Sequence, residues 1–293
     1  MDERELKHRR LSDLLAVHGL NGLVLRRVSN IAWITGGADV HVNTADSFGI
    51  AALVVTPTGR YAVTNTIEAP RLTQEEKLAE LGWEVSADPW HEPADRVATL
   101  TKGLMVGTDG GDPGAVDLTA ALTRLRANLT PEEGDRFRTL GRLCAEAMDV
   151  AARAVRPGQT EYEIAGRLAY EAERRGVQVI VNLIATDERI FNFRHPVPND
   201  KALDRYAMLV LCGRRQGLVC SITRLVHFGV LPTDLRRKVD AVAHIDAAMI
   251  AATRPGVTLG SIFHEGMQAY ASAGYPDEWR LHHQGGLAGD EPR

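Results

Sequence analysis

The residues best suited to chemistry in this chain are histidines and cysteines, because the stretch from Tyr206 to Thr233 contains no Asp or Glu. Within that stretch, Cys212 directly follows one apolar run and Cys220 lies on a second, and a short turn joins the two. A thiol beside an imidazole can act as a nucleophile with its general base. An apolar strand raises the pKa of a thiol, however, so the cysteines are better interpreted as small buried apolar residues.

Histidines stand on both sides of this acid-free stretch and within it. His195 lies upstream beside a proline, His227 ends the second apolar run, and His282 and His283 precede two glycines. Imidazole is the commonest general acid or base and a frequent metal ligand. Glycines next to the last pair let the backbone pass close to a site. The histidines are therefore candidate functional residues, and a loop histidine satisfied by backbone groups is the alternative for His195.

The composition indicates a folded protein large enough for two domains. The chain has 293 residues, of which 44% are hydrophobic and 25% are charged. The formal net charge is −4 and no long basic run occurs, so nucleic acid and membranes are not expected partners. The first residues are charged and no stretch approaches roughly 18 apolar residues, so no signal peptide or membrane span is predicted. The cytoplasm is the expected location.

The first half of the chain alternates between helical and strand-like patterns. Leucines at helical spacing predict a helix over residues 3–18. Apolar runs predict strands at 30–35, 50–55 and 61–64, and a Pro-Thr-Gly turn between the last two favours a hairpin. An α/β domain is therefore expected to close near residue 128.

A repeated helical unit marks the second half of the chain. Thr130, Pro131 and Glu133 combine a capping box with proline at the first helical position, which predicts a helix start. That helix ends at Arg156-Pro157-Gly158, and a second helix follows. The same order of helix, Arg-Pro-Gly and helix recurs over residues 235–274. Two copies are too few for a solenoid.

Together, the hairpin ending in Thr223-Arg224, the repeated helical unit and the amino-terminal segments resemble the pita-bread metallopeptidases, the group of creatinase, prolidase, aminopeptidase P and methionine aminopeptidase. The resemblance covers nearly the whole chain and implies an α+β fold. It implies a creatinase-like α/β domain over residues 1–128 and a pita-bread domain over residues 129–293, with pseudo-symmetric helices around a curved antiparallel sheet. The usual C-terminal strands of that domain are not expected, because the chain stops ten residues after His283.

The resemblance also predicts what remains of a metal site. In the family, two hairpin aspartates bind a pair of divalent metals, and those positions fall on Leu211 and Ser221 here. Leucine cannot bind a metal, and a serine hydroxyl is a poor ligand for hard ions. Of the family's ligands only the histidine survives, as His283, and one imidazole binds an ion weakly. No bound metal and no cofactor are therefore expected.

The same resemblance suggests roles for the other residues. His195 matches a family histidine that holds the substrate, and Arg224 follows Thr223 as in the family hairpin. Without carboxylate partners the arginines make the pocket more positive, which predicts a small anionic or peptide-like ligand. Arginines that point into solvent are the alternative. The predicted binding residues are His195, Ser221, Arg224, His227, His282 and His283.

The favoured function is that of a binding or structural relative of the proline peptidases and creatinase that has lost metallopeptidase activity. The alternative is a metal-independent hydrolase of a peptide or amidine C–N bond, in which His195 is the catalytic acid and base and His283 orients the substrate. A fragment of a longer parent is the third interpretation. Homodimerisation is what the resemblance implies.

Overall fold

The computed structural model describes residues 2–286 and 288–290. The elements of its first part are α1 (Glu3–Val17), β1 (Gly22–Arg27), α2 (Val28–Thr35), β2 (Phe48–Thr56), β3 (Gly59–Asn65), α3 (Ala69–Gln74), β4 (Glu84–Asp88), α4 (Arg96–Thr101), β5 (Val106–Thr108), β6 (Val116–Asp117) and α5 (Thr119–Arg126). The strands form one sheet in the order β4-β3-β2-β1-β5-β6. Strand β1 pairs antiparallel with β2 and parallel with β5, so the sheet is mixed.

Helix α2 differs from the predicted secondary structure, which has a strand at residues 30–35. All eight residues of α2 are buried, so the segment lacks the polar face whose periodicity identifies a helix. Gly36 ends the helix in the left-handed conformation, with a φ of 76°. A short apolar run is compatible with either element, and here packing on all sides favours the helix.

The second part begins with two capped helices, α6 (Pro131–Ala154) and α7 (Glu161–Glu173). The Thr130 hydroxyl accepts a hydrogen bond from the Glu133 amide, and the Glu133 carboxylate accepts one from the Thr130 amide. Thr160 and Glu163 form the same box in α7. Both predicted helix starts are confirmed. The remaining elements are β7 (Gln178–Thr186), α8 (Glu188–Asn192), β8 (Tyr206–Arg215), β9 (Leu218–His227), α9 (Thr233–Ala252), α10 (Leu259–Ser272) and a 3-10 helix (Glu278–Leu281).

Strands β7, β8 and β9 form a second sheet, antiparallel throughout and in that order. The predicted hairpin is confirmed as β8 and β9, whereas β7 was not predicted. Helices α9 and α10 flank the second Arg-Pro-Gly, which confirms the repeated helical unit. After β9, the described part of the chain contains no further strand. No helix among the described residues is long and apolar enough to cross a membrane.

Strand register assigns each hairpin side chain to one of two faces. Leu211 lies opposite Ile222, and Cys212 lies opposite Ser221. Opposed residues of an antiparallel pair share a face and successive residues alternate, so these two pairs lie on opposite faces. Leu211 is fully buried in a core shared with α6 and α7. We call its side the helix face and the side of Cys212 and Ser221 the open face.

A buried ion pair joins the two parts of the molecule. The ammonium group of Lys7, on α1, is fully buried and lies 2.7 Å from the Glu133 carboxylate and 2.6 Å from that of Glu3. It also donates a hydrogen bond to the Trp33 carbonyl of α2 at 2.6 Å. Because a buried charge is costly unless it is paired, these contacts hold α1, α2 and α6 in one arrangement. The predicted domain boundary at residue 128 falls between α5 and α6, and we retain the two-domain division as a proposal.

Candidate functional site

The hairpin positions matched to the family's aspartates lie on opposite faces. Leu211 is on the helix face and is 0% exposed, whereas Ser221 is exposed on the open face. Two side chains that bind the same pair of ions must share a face. The register therefore does not support the match of Leu211 to the first aspartate. Cys212, opposite Ser221, occupies the corresponding position on the open face.

Cys212 and Ser221 form a polar pair on the open face. The Cys212 sulfur and the Ser221 hydroxyl oxygen are 3.0 Å apart and share a hydrogen bond. Their neighbours on this face are Val210 and Thr223, and β7, β8 and β9 carry no Asp or Glu. Two hard divalent ions need several carboxylates to offset their charge. The hairpin residues therefore do not fit the dinuclear centre that the resemblance implies.

The other hairpin cysteine lies on the helix face. A hydrogen bond with the Cys144 thiol of α6 lowers the pKa of Cys220 to about 7. The same hydrogen bond, together with burial, raises the pKa of Cys144. Cys212 and Cys220 thus point away from each other, since they belong to opposite faces. In the described part of the chain, the hairpin thiols contact a hydroxyl and another thiol rather than an imidazole.

The arginines expected to line a positive pocket lie apart from one another. Arg224 is opposite Leu209, which puts it on the helix face, and its exposed guanidinium donates a hydrogen bond to the Thr223 carbonyl at 2.7 Å. Arg214 belongs to the open face, where a guanidinium nitrogen lies 2.8 Å from Nδ1 of His41 in the first part of the molecule. Burial, and then the charge of Arg214, lowers the pKa of His41. The predicted binding role of Arg224, whose side chain is exposed, stays a prediction.

Three of the predicted binding residues do come together. His195, in the loop between α8 and β8, meets His282 and His283, which follow the 3-10 helix. The Nε2 atoms of His195 and His282 are 3.2 Å apart. One possible ligand atom from each of the three rings lies within 4.8 Å of the others. We call these three residues the histidine cluster.

His227 is not part of the histidine cluster. It lies at the end of β9, and its ring packs against Tyr206 with the ring centroids 5.7 Å apart. Its Nδ1 atom is buried and has no hydrogen-bond partner among the described residues. The predicted binding role of His227 therefore stays a prediction.

Two acids hold the loop that carries His195. Glu161 is fully buried and accepts hydrogen bonds from the Thr186 amide at 2.8 Å, from Arg189 at 3.0 Å and from the Asn199 amide at 3.1 Å. Asp187 accepts hydrogen bonds from the amides of residues 204, 205 and 206, each at 2.9 Å. These contacts fix both ends of the loop. His195 is therefore exposed but carried by an anchored segment.

A cavity of about 200 Å³ adjoins the histidine cluster. The Tyr270 hydroxyl donates a hydrogen bond to the Gln284 side chain at 3.0 Å, and that side chain donates one to the His282 carbonyl at 2.9 Å. These bonds brace the cavity wall beside the cluster. The lining residues that matter for binding are Arg194, Lys238, Tyr270, Tyr275, Glu278 and His282.

The chain is similar to known proteins in sequence and in fold. The model of metallopeptidase family M24 matches residues 135–292, more than half of the chain. The chain belongs to metallopeptidase family M24. An Xaa-Pro dipeptidase from Lactobacillus helveticus is 25% identical over 226 residues, which cover 70% of this chain and 61% of that protein. This M24 chain thus matches less than two thirds of the length of its curated relative.

Solved structures share the fold of this M24 member. The dipeptidase PepE from Mycobacterium ulcerans matches with a TM-score of 0.76 and 20% identity, over 98% of this chain and 82% of that one. The prolidase from Pyrococcus furiosus matches with a TM-score of 0.77 and 17% identity, over 95% and 83%. Identities this low show the fold alone. They confirm the predicted α+β class and the pita-bread fold.

Sequence reasoning missed two features of the site. The opposition of Cys212 and Ser221 follows from the tight turn at Gln216-Gly217, where both residues have positive φ and fix the strand register. The Gln-Gly pair that forms this turn is visible in the sequence. The contact between His195 and His282 joins residues that are 87 positions apart, and no local pattern reports it.

Proposed function

We propose that this chain is a ligand-binding member of family M24 without metal-dependent peptidase activity. The observation that carries the proposal is the Cys212–Ser221 pair, a thiol and a hydroxyl 3.0 Å apart on the open face of the hairpin. Neutral side chains do not offset the charge of two hard divalent ions. Without a pair of ions, the hairpin has no means of activating water in the manner of a dinuclear hydrolase.

The ligand that we propose is a small molecule with an anionic group, and an Xaa-Pro dipeptide is the first candidate. The cavity beside the histidine cluster is lined by Lys238 and by Arg194, which lies 3.9 Å from the Glu278 carboxylate, so these three side chains leave one net positive charge. Tyr270 and Tyr275 supply apolar surface with polar hydroxyls, a combination typical of small-molecule sites. The name of the Lactobacillus helveticus relative supplies the dipeptide as the compound to try.

A second candidate function is the metal-independent hydrolysis of a C–N bond. The 3.2 Å contact between His195 and His282 favours it, because paired imidazoles can pass a proton between them. His195 would be the acid and base, and His283 would orient the substrate. Full activity in a His195→Ala variant would exclude this candidate. The homodimer and the cytoplasmic location expected from the sequence also stand as proposals.

Turnover and binding assays on Xaa-Pro dipeptides test the proposed function. We expect no hydrolysis with saturating Mn²⁺ or Co²⁺, but we expect calorimetry to detect dipeptide binding. Lys238→Ala should weaken that binding at least about tenfold, since it removes a charged hydrogen-bond partner. Lys102→Ala, an exposed lysine outside the cavity, is the matched control.

The outcomes separate the candidates. Metal-dependent turnover would contradict the loss of peptidase activity. Equal binding by the two lysine variants would contradict the proposed cavity. Turnover that resists chelators and requires His195 would support the second candidate.

A further inference from the structure

The histidine cluster offers donor atoms that the missing carboxylates do not affect. We propose that His195, His282 and His283, whose rings the fold brings together, bind one transition-metal ion such as Zn²⁺. This site differs from the carboxylate-rich pair of ions that the resemblance implies. It does not depend on the proposed function, because it concerns the cluster itself rather than the ligand of the cavity.

The spacing of the nitrogen atoms fits a shared ion. Bonds from Zn²⁺ to histidine nitrogen are about 2.0–2.1 Å, so two nitrogens of a tetrahedral site lie about 3.3–3.4 Å apart. The Nε2 atoms of His195 and His282 are 3.2 Å apart, close to that separation. A ligand atom of His283 lies within 4.8 Å of both. His283 is exposed, so its ring is accessible to an entering ion.

The hydrogen bonds of His282 prepare one of its nitrogens for a metal. Its Nδ1 lies 2.7 Å from the His283 carbonyl oxygen, and a carbonyl oxygen only accepts hydrogen bonds. Nδ1 therefore carries the proton, and in the neutral ring Nε2 carries a lone pair. That lone pair is on the atom that approaches His195. A backbone carbonyl that fixes the tautomer in this way is typical of metal-binding histidines.

The donor set selects the class of ion. Imidazole nitrogens suit Zn²⁺, Cu²⁺, Ni²⁺ and Co²⁺, whereas Mg²⁺, Ca²⁺ and Mn²⁺ prefer carboxylate and carbonyl oxygens. Three histidines with a further open position are a known ligand set for Zn²⁺. Because the three ligands are neutral, the bound ion keeps its two positive charges. Such an ion would favour an anionic group in the neighbouring cavity, whose wall includes His282.

The surroundings allow an ion to enter and keep the ligands in place. His195 and His283 are exposed and His282 is half-buried, so the cluster is open to solvent. Glu161 and Asp187 anchor the loop of His195, and Gln284 holds the His282 carbonyl. Gly285 and Gly286 both have positive φ, which turns the backbone directly after the histidine pair.

Titration of the chelator-treated full chain with Zn²⁺ tests the site. We expect one equivalent to bind, and we expect bound Co²⁺ to give visible d–d absorption. His195→Ala and His282→Ala should each weaken Zn²⁺ binding at least about tenfold, because loss of an outer-sphere partner alone costs about 10–100-fold. His264→Ala is the matched control, an exposed histidine on α10 outside the cluster.

Thermal unfolding of the same variants without metal distinguishes the loss of a ligand from a folding defect. Unchanged melting temperatures with lost Zn²⁺ binding would support the site. If wild-type protein binds no Zn²⁺, or if His264→Ala weakens binding as much as His195→Ala and His282→Ala do, the inference is overturned. The Zn²⁺ titration does not measure dipeptide turnover. The metal site and the proposed function can therefore fail independently of each other.

Discussion

The open face of the hairpin and the histidine cluster differ in how their residues are brought together and in the metal ions that those residues suit. On the hairpin, Cys212 and Ser221 are neighbours through strand pairing, and their side chains are poor ligands for hard ions. In the cluster, His195 and His282 meet through two separate loops, and their side chains are good ligands for softer ions. The comparison teaches that a hairpin without carboxylates can stand beside a second set of possible metal ligands, because the three histidines lie outside the hairpin.

The largest expected effect is a loss of stability when a carboxylate is placed on the buried face of the hairpin. Leu211→Asp puts a carboxylate among the buried side chains of the helix face and should lower the free energy of unfolding by more than about 3 kcal/mol. Ser221→Asp changes an exposed residue of the open face and should cost less than about 1 kcal/mol. Urea denaturation of both variants measures the difference. Similar losses in the two variants would contradict the assignment of faces.

A smaller effect is expected when the hydrogen bonds beside the histidine cluster are weakened. Tyr270→Phe removes the donor that holds the Gln284 side chain, which in turn donates to the His282 carbonyl. The loss of one hydrogen bond should cost about 0.5–1.5 kcal/mol of stability. Zn²⁺ binding should weaken only slightly, because all three imidazoles remain. Thermal unfolding and Zn²⁺ titration measure the two effects, and complete loss of Zn²⁺ binding would contradict the claim that the three imidazoles suffice to hold the ion.

Much of the fold was predictable because it is specified locally. The capping boxes at Thr130 and Thr160 mark their helices within four residues, and the Arg-Pro-Gly turns mark two helix pairs. Helix α2 was predicted as a strand because a helix that is buried on every side has no polar face, and its sequence therefore lacks an amphipathic pattern. Strand β7 is not among the predicted elements, although its Val and Ile residues are typical of strands.

The candidate site was less predictable, for a physical reason. The types of its residues could be chosen from the sequence, and His195, His282 and His283 were all predicted binding residues. Their contact depends on how two loops return to one place, which local propensity does not determine. The face of each hairpin residue depends on register, and a shift of one position exchanges Leu211 for Cys212.

Anomalous diffraction from crystals soaked separately in Mn²⁺ and Zn²⁺ tests most directly whether the dinuclear centre is absent while the histidine cluster still binds metal. We predict one zinc peak within bonding distance of the cluster nitrogens and no manganese on the open face of the hairpin. Two manganese peaks about 3.5–4 Å apart beside Cys212 and Ser221 would contradict the account.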